Sequence, residues 1–203
     1  EQLVNAWVKI DRDNTVTAIV PHCEMGQGAH TTLAQMLADE LDADWAKVSV
    51  MQAPADGNYV VPDAARDFVA AWSLDAPKWL EPTYNGLFTQ ISKLGDVLVT
   101  GGSSSVRTTG QHTMRLAGAA ARQMLVAAAA ARWNVPASEI VAENSTLVHK
   151  ASNKRGTYGE FAEAASQESM PQTPPLKDVS HYKLMGKGLQ RLDIPAKVNG
   201  EAL

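Results

Sequence analysis

The sequence predicts an α+β chain built of α/β layers, on three observations. Residues 6–10 and 15–20 alternate apolar and polar side chains around the turn cluster Asp11-Arg12-Asp13-Asn14, which is the pattern of a hairpin. Leu33, Met36, Leu37 and Leu41 then recur at helical spacing over residues 29–41. A third alternating run, 45–51, follows with Val48 and Val50 on its inward face. Strand, strand, helix, strand is the start of a layered sheet.

The remaining elements follow in order. A long helix is expected over about 113–133, with Leu116, Ala119, Ala120, Gln123, Met124 and Ala127 as its buried stripe. Its run Ala117-Gly118-Ala119-Ala120-Ala121 is small enough for another backbone to lie close. Residues 140–142 and 146–149 read as a second hairpin, and 158–165 as a small amphipathic helix. Residues 166–179 read as loop, with Pro171, Pro174 and Pro175. Asp39 and Glu40 near the end of the 29–41 helix oppose its dipole, so packing has to hold that end.

Composition excludes several classes. The 203 residues are 45% hydrophobic and 20% charged, an ordinary globular balance. A net charge of -4 and the lack of a basic patch interleaved with aromatics argue against nucleic acid as a partner. No apolar window is long enough to span a membrane. Cys23 is the only cysteine, so neither an internal disulfide nor a cysteine-ligated iron–sulfur cluster can form within the chain.

The segment 53–99 stands apart. Pro54, Pro62, Pro77 and Pro82 alternate with Gly57, Gly86 and Gly95, yet Phe68, Trp72, Trp79, Tyr84 and Phe88 are too many aromatics for a disordered linker. It reads as an ordered excursion, with a short helix at 64–72, that packs against a subunit interface or lines a channel.

Two stretches carry the chemistry. Glu24-Met25-Gly26-Gln27-Gly28 immediately precedes the 29–41 helix, and its glycines allow a sharp bend and close approach by a ligand. The helix N–H groups behind it would form an anion site, although an ordinary loop-to-helix cap has the same signature. Thr100-Gly101-Gly102-Ser103-Ser104-Ser105-Val106-Arg107 is the second stretch, and by composition it is either a flexible linker or a second ligand loop. Together they suit a ligand with separated phosphates or many polar atoms. His22, His30, His112, His149 and His181 show no metal-ligand spacing. Cys23 and His22 are neighbours on a strand and face opposite ways, which suits neither for nucleophilic catalysis with the other.

The run VTAIVPHCEMGQGAHTTLAQMLADELDADWAKVSVMQAPADGNY, followed by VTGGSSSVRTTGQHTMRLAGAAARQMLVAAAAARWNVP, resembles molybdenum hydroxylases of the xanthine dehydrogenase and aldehyde oxidase group. Within the group the likeness is to the isoquinoline 1-oxidoreductase type and its aldehyde-oxidising relatives. The tail YKLMGKGLQRLDIPAKVNGEAL is similar to the family's lead into an α/β hammerhead domain. The resemblance implies a molybdopterin-binding domain over 1–180 and a linker with the first strand of a hammerhead over 181–203. It implies molybdopterin cytosine dinucleotide as cofactor. Gly26, Gln27 and Gly28 would contact pterin or pyrophosphate, and Thr100, Gly101, Gly102, Ser103, Ser104 and Ser105 the nucleotide and phosphates. Thr31 and Arg107 extend the same two loops.

The resemblance also implies that the family's catalytic glutamate, carried on a Gly-Val-Gly-Glu segment, lies outside this sequence. Gly110-Gln111-His112 departs from the tryptophan context usual after the arginine, and the excursion is longer than the family pattern. The expected partners are the remainder of a large subunit, an iron–sulfur small subunit that alone carries the clusters, and a cytochrome c. A removed twin-arginine leader, consistent with Glu1 at the start, would imply the periplasm, with the cytoplasm as the alternative. The substrate class expected is an aldehyde or an N-heteroaromatic, oxidised with water as oxygen source. Two other readings stand beside this one: a non-catalytic structural or assembly module of the same fold, and a stand-alone nucleotide-binding protein.

Overall fold

The computed structural model describes residues 2–61 and 103–202, together with Gly86, Gln90 and 93–95. The 64–72 helix and the aromatics from Phe68 to Phe88, as well as Thr100, Gly101 and Gly102, lie outside the described residues.

Strands β1 (Gln2–Asn5), β2 (Val8–Ile10) and β3 (Val16–Val20) form an antiparallel meander. Helix α1 (Ala29–Leu41) then returns the chain to β4 (Val48–Gln52), which pairs parallel to β3 with Val16 opposite Val48. The sheet order is β1-β2-β3-β4. The front of the expected third strand is a 3-10 turn, Trp45–Lys47, capped by the Asp44 carboxylate on the Ala46 N–H.

The long helix begins ten residues before the expected start. It runs as α2 (Ser103–Thr109), a π-helical turn (Gly110–Met114) and α3 (Arg115–Trp133). Ser103, Ser104 and Ser105 are therefore its first turn and not part of a flexible linker. The small-residue run does admit a backbone: a Cβ on Gly118 would overlap the Leu37 carbonyl oxygen of α1. The buried stripe is rotated from expectation. Ala119, Ala120 and Met124 are buried, together with Ala117, Ala121 and Leu125, whereas Leu116, Gln123 and Ala127 are only half-buried. Close contact with α1 through glycine and alanine turns the helix past its larger apolar side chains.

A second sheet, β5 (Ile140–Glu143), β6 (Thr146–His149) and β7 (Lys154–Thr157), is antiparallel in that order. The sequence pattern discloses its first two strands; β7, with charged and small residues, lacks an apolar alternation. Helix α4 (Tyr158–Ala165) follows directly and starts against the 11–14 turn, where Asn14, at φ +74°, accepts the Gly159 N–H and donates to the Ser145 carbonyl. One core unites the layers, from Val8, Ile10 and Val16 through Leu33, Leu37 and Leu41 to Met114, Leu125, Leu147 and Phe161. Each of the large aliphatic side chains contributes about 1.5–3 kcal/mol by burial.

The C-terminal segment corrects one expectation. Among its described residues there is no strand; Ile194–Asn199 is a short helix, α5, with Pro195 in its first turn and Gly200 at φ +82° behind it. The preceding residues pack on α1. The buried Asp39 carboxylate accepts the N–H groups of Lys183, Leu184 and Met185 at 3.0, 3.1 and 2.7 Å. Glu40 is fully buried and pairs with Arg115, at 2.7–2.8 Å, and with the Lys177 N–H at 3.0 Å. The cations that the α1 C-terminus lacks in its own sequence thus arrive from residues 115, 177 and 183.

Candidate functional site

The turn before α1 is shaped by two left-handed glycines, Gly26 at φ +101° and Gly28 at φ +78°. A Cβ at either position would meet nothing within 4 Å, so the outer side of this backbone is bare. Gln27 between them is exposed. Its Oε1 accepts the Met25 N–H at 2.6 Å and its Nε2 donates to the Cys23 carbonyl at 2.7 Å.

Three N–H donors of the expected anion site are already engaged. The Glu24 carboxylate accepts the Gly26 and Gly28 N–H groups, each at 2.9 Å, and the His30 N–H at 3.1 Å. An internal carboxylate therefore caps α1 where a ligand anion was expected. Burial pushes the Glu24 carboxyl up, but the N–H bonds from Gly28, His30 and Gly26 and the Arg191 charge outweigh it, holding the group below the usual glutamate range. The sequence pattern shows Glu24 only as a neighbour of His22 and Cys23. The available signal was a carboxylate five residues ahead of a helix start across two glycines, long enough to fold back as a cap.

Arg191 closes the arrangement from the tail. Its Nη1 donates to the Gly26 carbonyl at 2.8 Å, its Nη2 reaches Glu24 Oε1 at 3.2 Å, and Nε and Nη2 grip Asp193 at 2.9 and 2.6 Å. Thr31 belongs to this tie as well. It is buried and its hydroxyl accepts the Leu192 N–H at 2.9 Å, so it faces the tail and not the bare side of the turn.

The residues flanking the two sequence stretches meet. His22, two residues ahead of Glu24, lies fully buried with Nε2 2.9 Å from Thr109 Oγ1 at the end of α2. Gly110, next along, is packed against Met36 of α1 closely enough that a Cβ would overlap its sulfur. Helix α2 is thereby held beside the 22–28 segment, with Ser105 buried and Arg107 exposed on it. His30 Nε2 is within 2.8 Å of the His22 carbonyl and 3.0 Å of Gln52 Oε1; the carbonyl can only accept, which puts the proton on Nε2. Cys23 is exposed while His22 is buried, so the two are separated, but both lie past the end of β3 in irregular chain and not on a strand as expected. Among the described residues, no group of three His, Cys, Asp or Glu side chains is placed to hold a metal ion, and no helix is long and apolar enough to cross a membrane.

Residues 2–63, which contain the Gly26–Gln27–Gly28 turn, match the family model of the molybdopterin cofactor-binding domain. Over 98% of its length the chain is 34% identical to the beta subunit of isoquinoline 1-oxidoreductase from Brevundimonas diminuta. These matches support a molybdenum hydroxylase family for the chain.

Other relatives are similar over nearly the whole chain. It is 32% identical over 97% of its length to a protein of Gluconacetobacter polyoxogenes named membrane-bound aldehyde dehydrogenase (pyrroloquinoline-quinone). It is 28% identical over 99% of its length to a nicotinate dehydrogenase subunit of Pseudomonas putida. The chain spans only 26%, 21% and 14% of these three relatives. A solved structure, quinoline 2-oxidoreductase from Pseudomonas putida 86, is similar over 82% of this chain and 17% of that one, at 18% identity and a TM-score of 0.48.

Proposed function

We propose that this molybdenum hydroxylase chain holds part of a molybdopterin cofactor, in its cytosine dinucleotide form, for the oxidation of an aldehyde or an N-heteroaromatic compound. The observation that carries the reading is the bare Gly26–Gln27–Gly28 turn, inside the matched domain and tied through His22 and Thr109 to the helix that Ser103 opens.

The residues present fit such a group. Two glycines without a Cβ contact leave backbone open to a flat ring system, and the exposed Gln27 amide can exchange its bonds within the loop for a donor–acceptor pair on a pterin edge. Arg107, exposed on α2, supplies a cation for a pyrophosphate, and the family resemblance assigns Thr100, Gly101, Gly102, Ser103, Ser104 and Ser105 to the nucleotide and phosphates. Glu24, already neutralised by Arg191 and three N–H groups, adds little repulsion toward that anion. When bound, the cofactor supplies a molybdenum centre for two-electron oxidation with water as the oxygen source. The base for that chemistry belongs to another part of the enzyme, since the acidic residues of this site are engaged as caps and ties. Electrons leave through an iron–sulfur subunit, with a cytochrome c as a further acceptor, and the assembly works in the periplasm.

Molybdenum content by elemental mass spectrometry and nucleotide released by acid, measured on the native protein, test the reading. Molybdenum and cytidine monophosphate in equal amounts, both reduced in Gln27→Ala, are expected. Protein free of both, or activity untouched by Gln27→Ala, would instead favour a structural module of the same fold.

A further inference from the structure

We propose that Glu24 and Arg191 are positioning residues for the Gly26–Gln27–Gly28 turn, a role that rests on the cofactor-holding function proposed above. The Glu24 carboxylate is the inner half of the device. Through its two oxygens it collects N–H groups from positions 26, 28 and 30, and so fixes two left-handed glycines relative to the first turn of α1. A Gly-x-Gly turn without such a restraint samples many backbone states, because glycine loses more freedom on ordering than any other residue.

Arg191 is the outer half. Its fork reaches the Gly26 carbonyl and Glu24 at once, from a segment 165 residues further along the chain. Asp193 holds that fork by two bonds, and Lys197 holds Asp193 at 2.6 Å. The tail itself is anchored, with Leu192 N–H on the Thr31 hydroxyl of α1. Glu24 has a side chain only 7% exposed and Arg191 one 27% exposed, so the pair is shielded enough to hold its geometry. A planar guanidinium serves two acceptors in fixed directions, which an ammonium cannot do. The turn is thus clamped from one side by α1 and from the other by the tail, leaving only its bare face for a ligand.

The test uses the native protein with Glu24→Gln, Arg191→Gln and Arg191→Lys, read by hydrogen–deuterium exchange of peptides covering residues 22–32 and by molybdenum and nucleotide content. Both glutamine variants are expected to speed exchange in that window about tenfold, with exchange in α3 and the unfolding midpoint unchanged. Molybdenum and nucleotide content should fall in parallel, and Arg191→Lys should restore only part of either. Unchanged exchange in the window, or full restoration by lysine, would overturn the positioning role. Wild-type protein free of molybdenum would overturn the function proposed for the turn, while the exchange measurement would still decide the clamp.

Discussion

His22 Nε2 and Thr109 Oγ1 lie 2.9 Å apart, both fully buried, and join stretches 87 residues apart in sequence. This bond sets α2 beside the segment that carries the two left-handed glycines. Removing one partner leaves the other buried and unsatisfied, at a cost of about 1–3 kcal/mol. Thr109→Val, nearly isosteric, is therefore expected to lower unfolding free energy by that amount in urea titration, and Thr109→Ser to restore most of it. Equal stability of the valine variant would show that the bond does not hold the two segments together.

Gly118 gives a prediction against propensity. Alanine in a helix interior is favoured over glycine by about 1 kcal/mol. At this position, however, the added methyl would overlap the Leu37 carbonyl of α1, and overpacking costs about 1–3 kcal/mol. Gly118→Ala should lower the thermal midpoint. A rise would mean that α1 and α3 can separate without loss.

Gly28→Ala separates backbone strain from crowding. Its methyl meets nothing within 4 Å, so the cost is the left-handed φ of +78°, about 1–2 kcal/mol. The chain should stay folded and lose cofactor, measured as molybdenum per chain, because the new methyl stands on the bare face. Full molybdenum content in the folded variant would place the ligand elsewhere.

These cases mark what the sequence could disclose. Helix α1 was legible to the residue, because Gly28 stops the preceding turn and Leu33, Leu37 and Leu41 keep strict period. The first hairpin was legible for the same reason, through alternation about the 11–14 turn. Ser103–Ser105 was not, since a glycine–serine composition is shared by linkers and helix starts, and only the packing of Gly110 on Met36 decides between them. Asp39 and Glu40 looked unfavourable for α1 because their partners, Arg115, Lys177 and the backbone at 183–185, lie far along the chain. In the site, the glycines were found by local rules. The Glu24 cap needed the fold-back of a side chain, and the Arg191 clamp a long-range contact that no spacing encodes.

Asp42 makes stability depend on pH. Burial pushes its carboxyl up, but hydrogen bonds from Lys177 and Lys183, at 2.8 and 2.7 Å, and their charges outweigh it, so it titrates below the usual aspartate range; Arg122 stands at 3.4 Å and the Asp39 carboxylate also faces Lys177. Since the folded group binds its proton later than the unfolded one, its contribution is complete above the ordinary aspartate pKa and is lost as pH falls below it. Asp42→Asn keeps a residue that tolerates φ +59° but removes the charge. The stability gap between wild type and this variant should therefore be largest near neutral pH and shrink below about pH 4. A gap independent of pH in urea titrations would show that the carboxylate acts by shape alone.

The Glu40–Arg115 pair tests how the tail is held on α1. Glu40 is fully buried, its Oε1 taking Arg115 and its Oε2 the Lys177 N–H, while Arg115 also donates to Gln111 and the Lys177 carbonyl and lies 5.2 Å over the Tyr182 ring. Glu40→Ala would strand a buried guanidinium, for which about 3–5 kcal/mol is typical. Replacing both members with methionine removes the stranded charge, so the double variant should be more stable than Glu40→Ala. It should still free the tail, because the Lys177 N–H loses its acceptor. Urea unfolding of the single and double variants, with proteolysis at residues 177–192 as the local readout, separates the two effects. Equal stability of Glu40→Ala and the double variant would mean that Arg115 finds water when Glu40 is gone, and that the pair does not hold the tail in place.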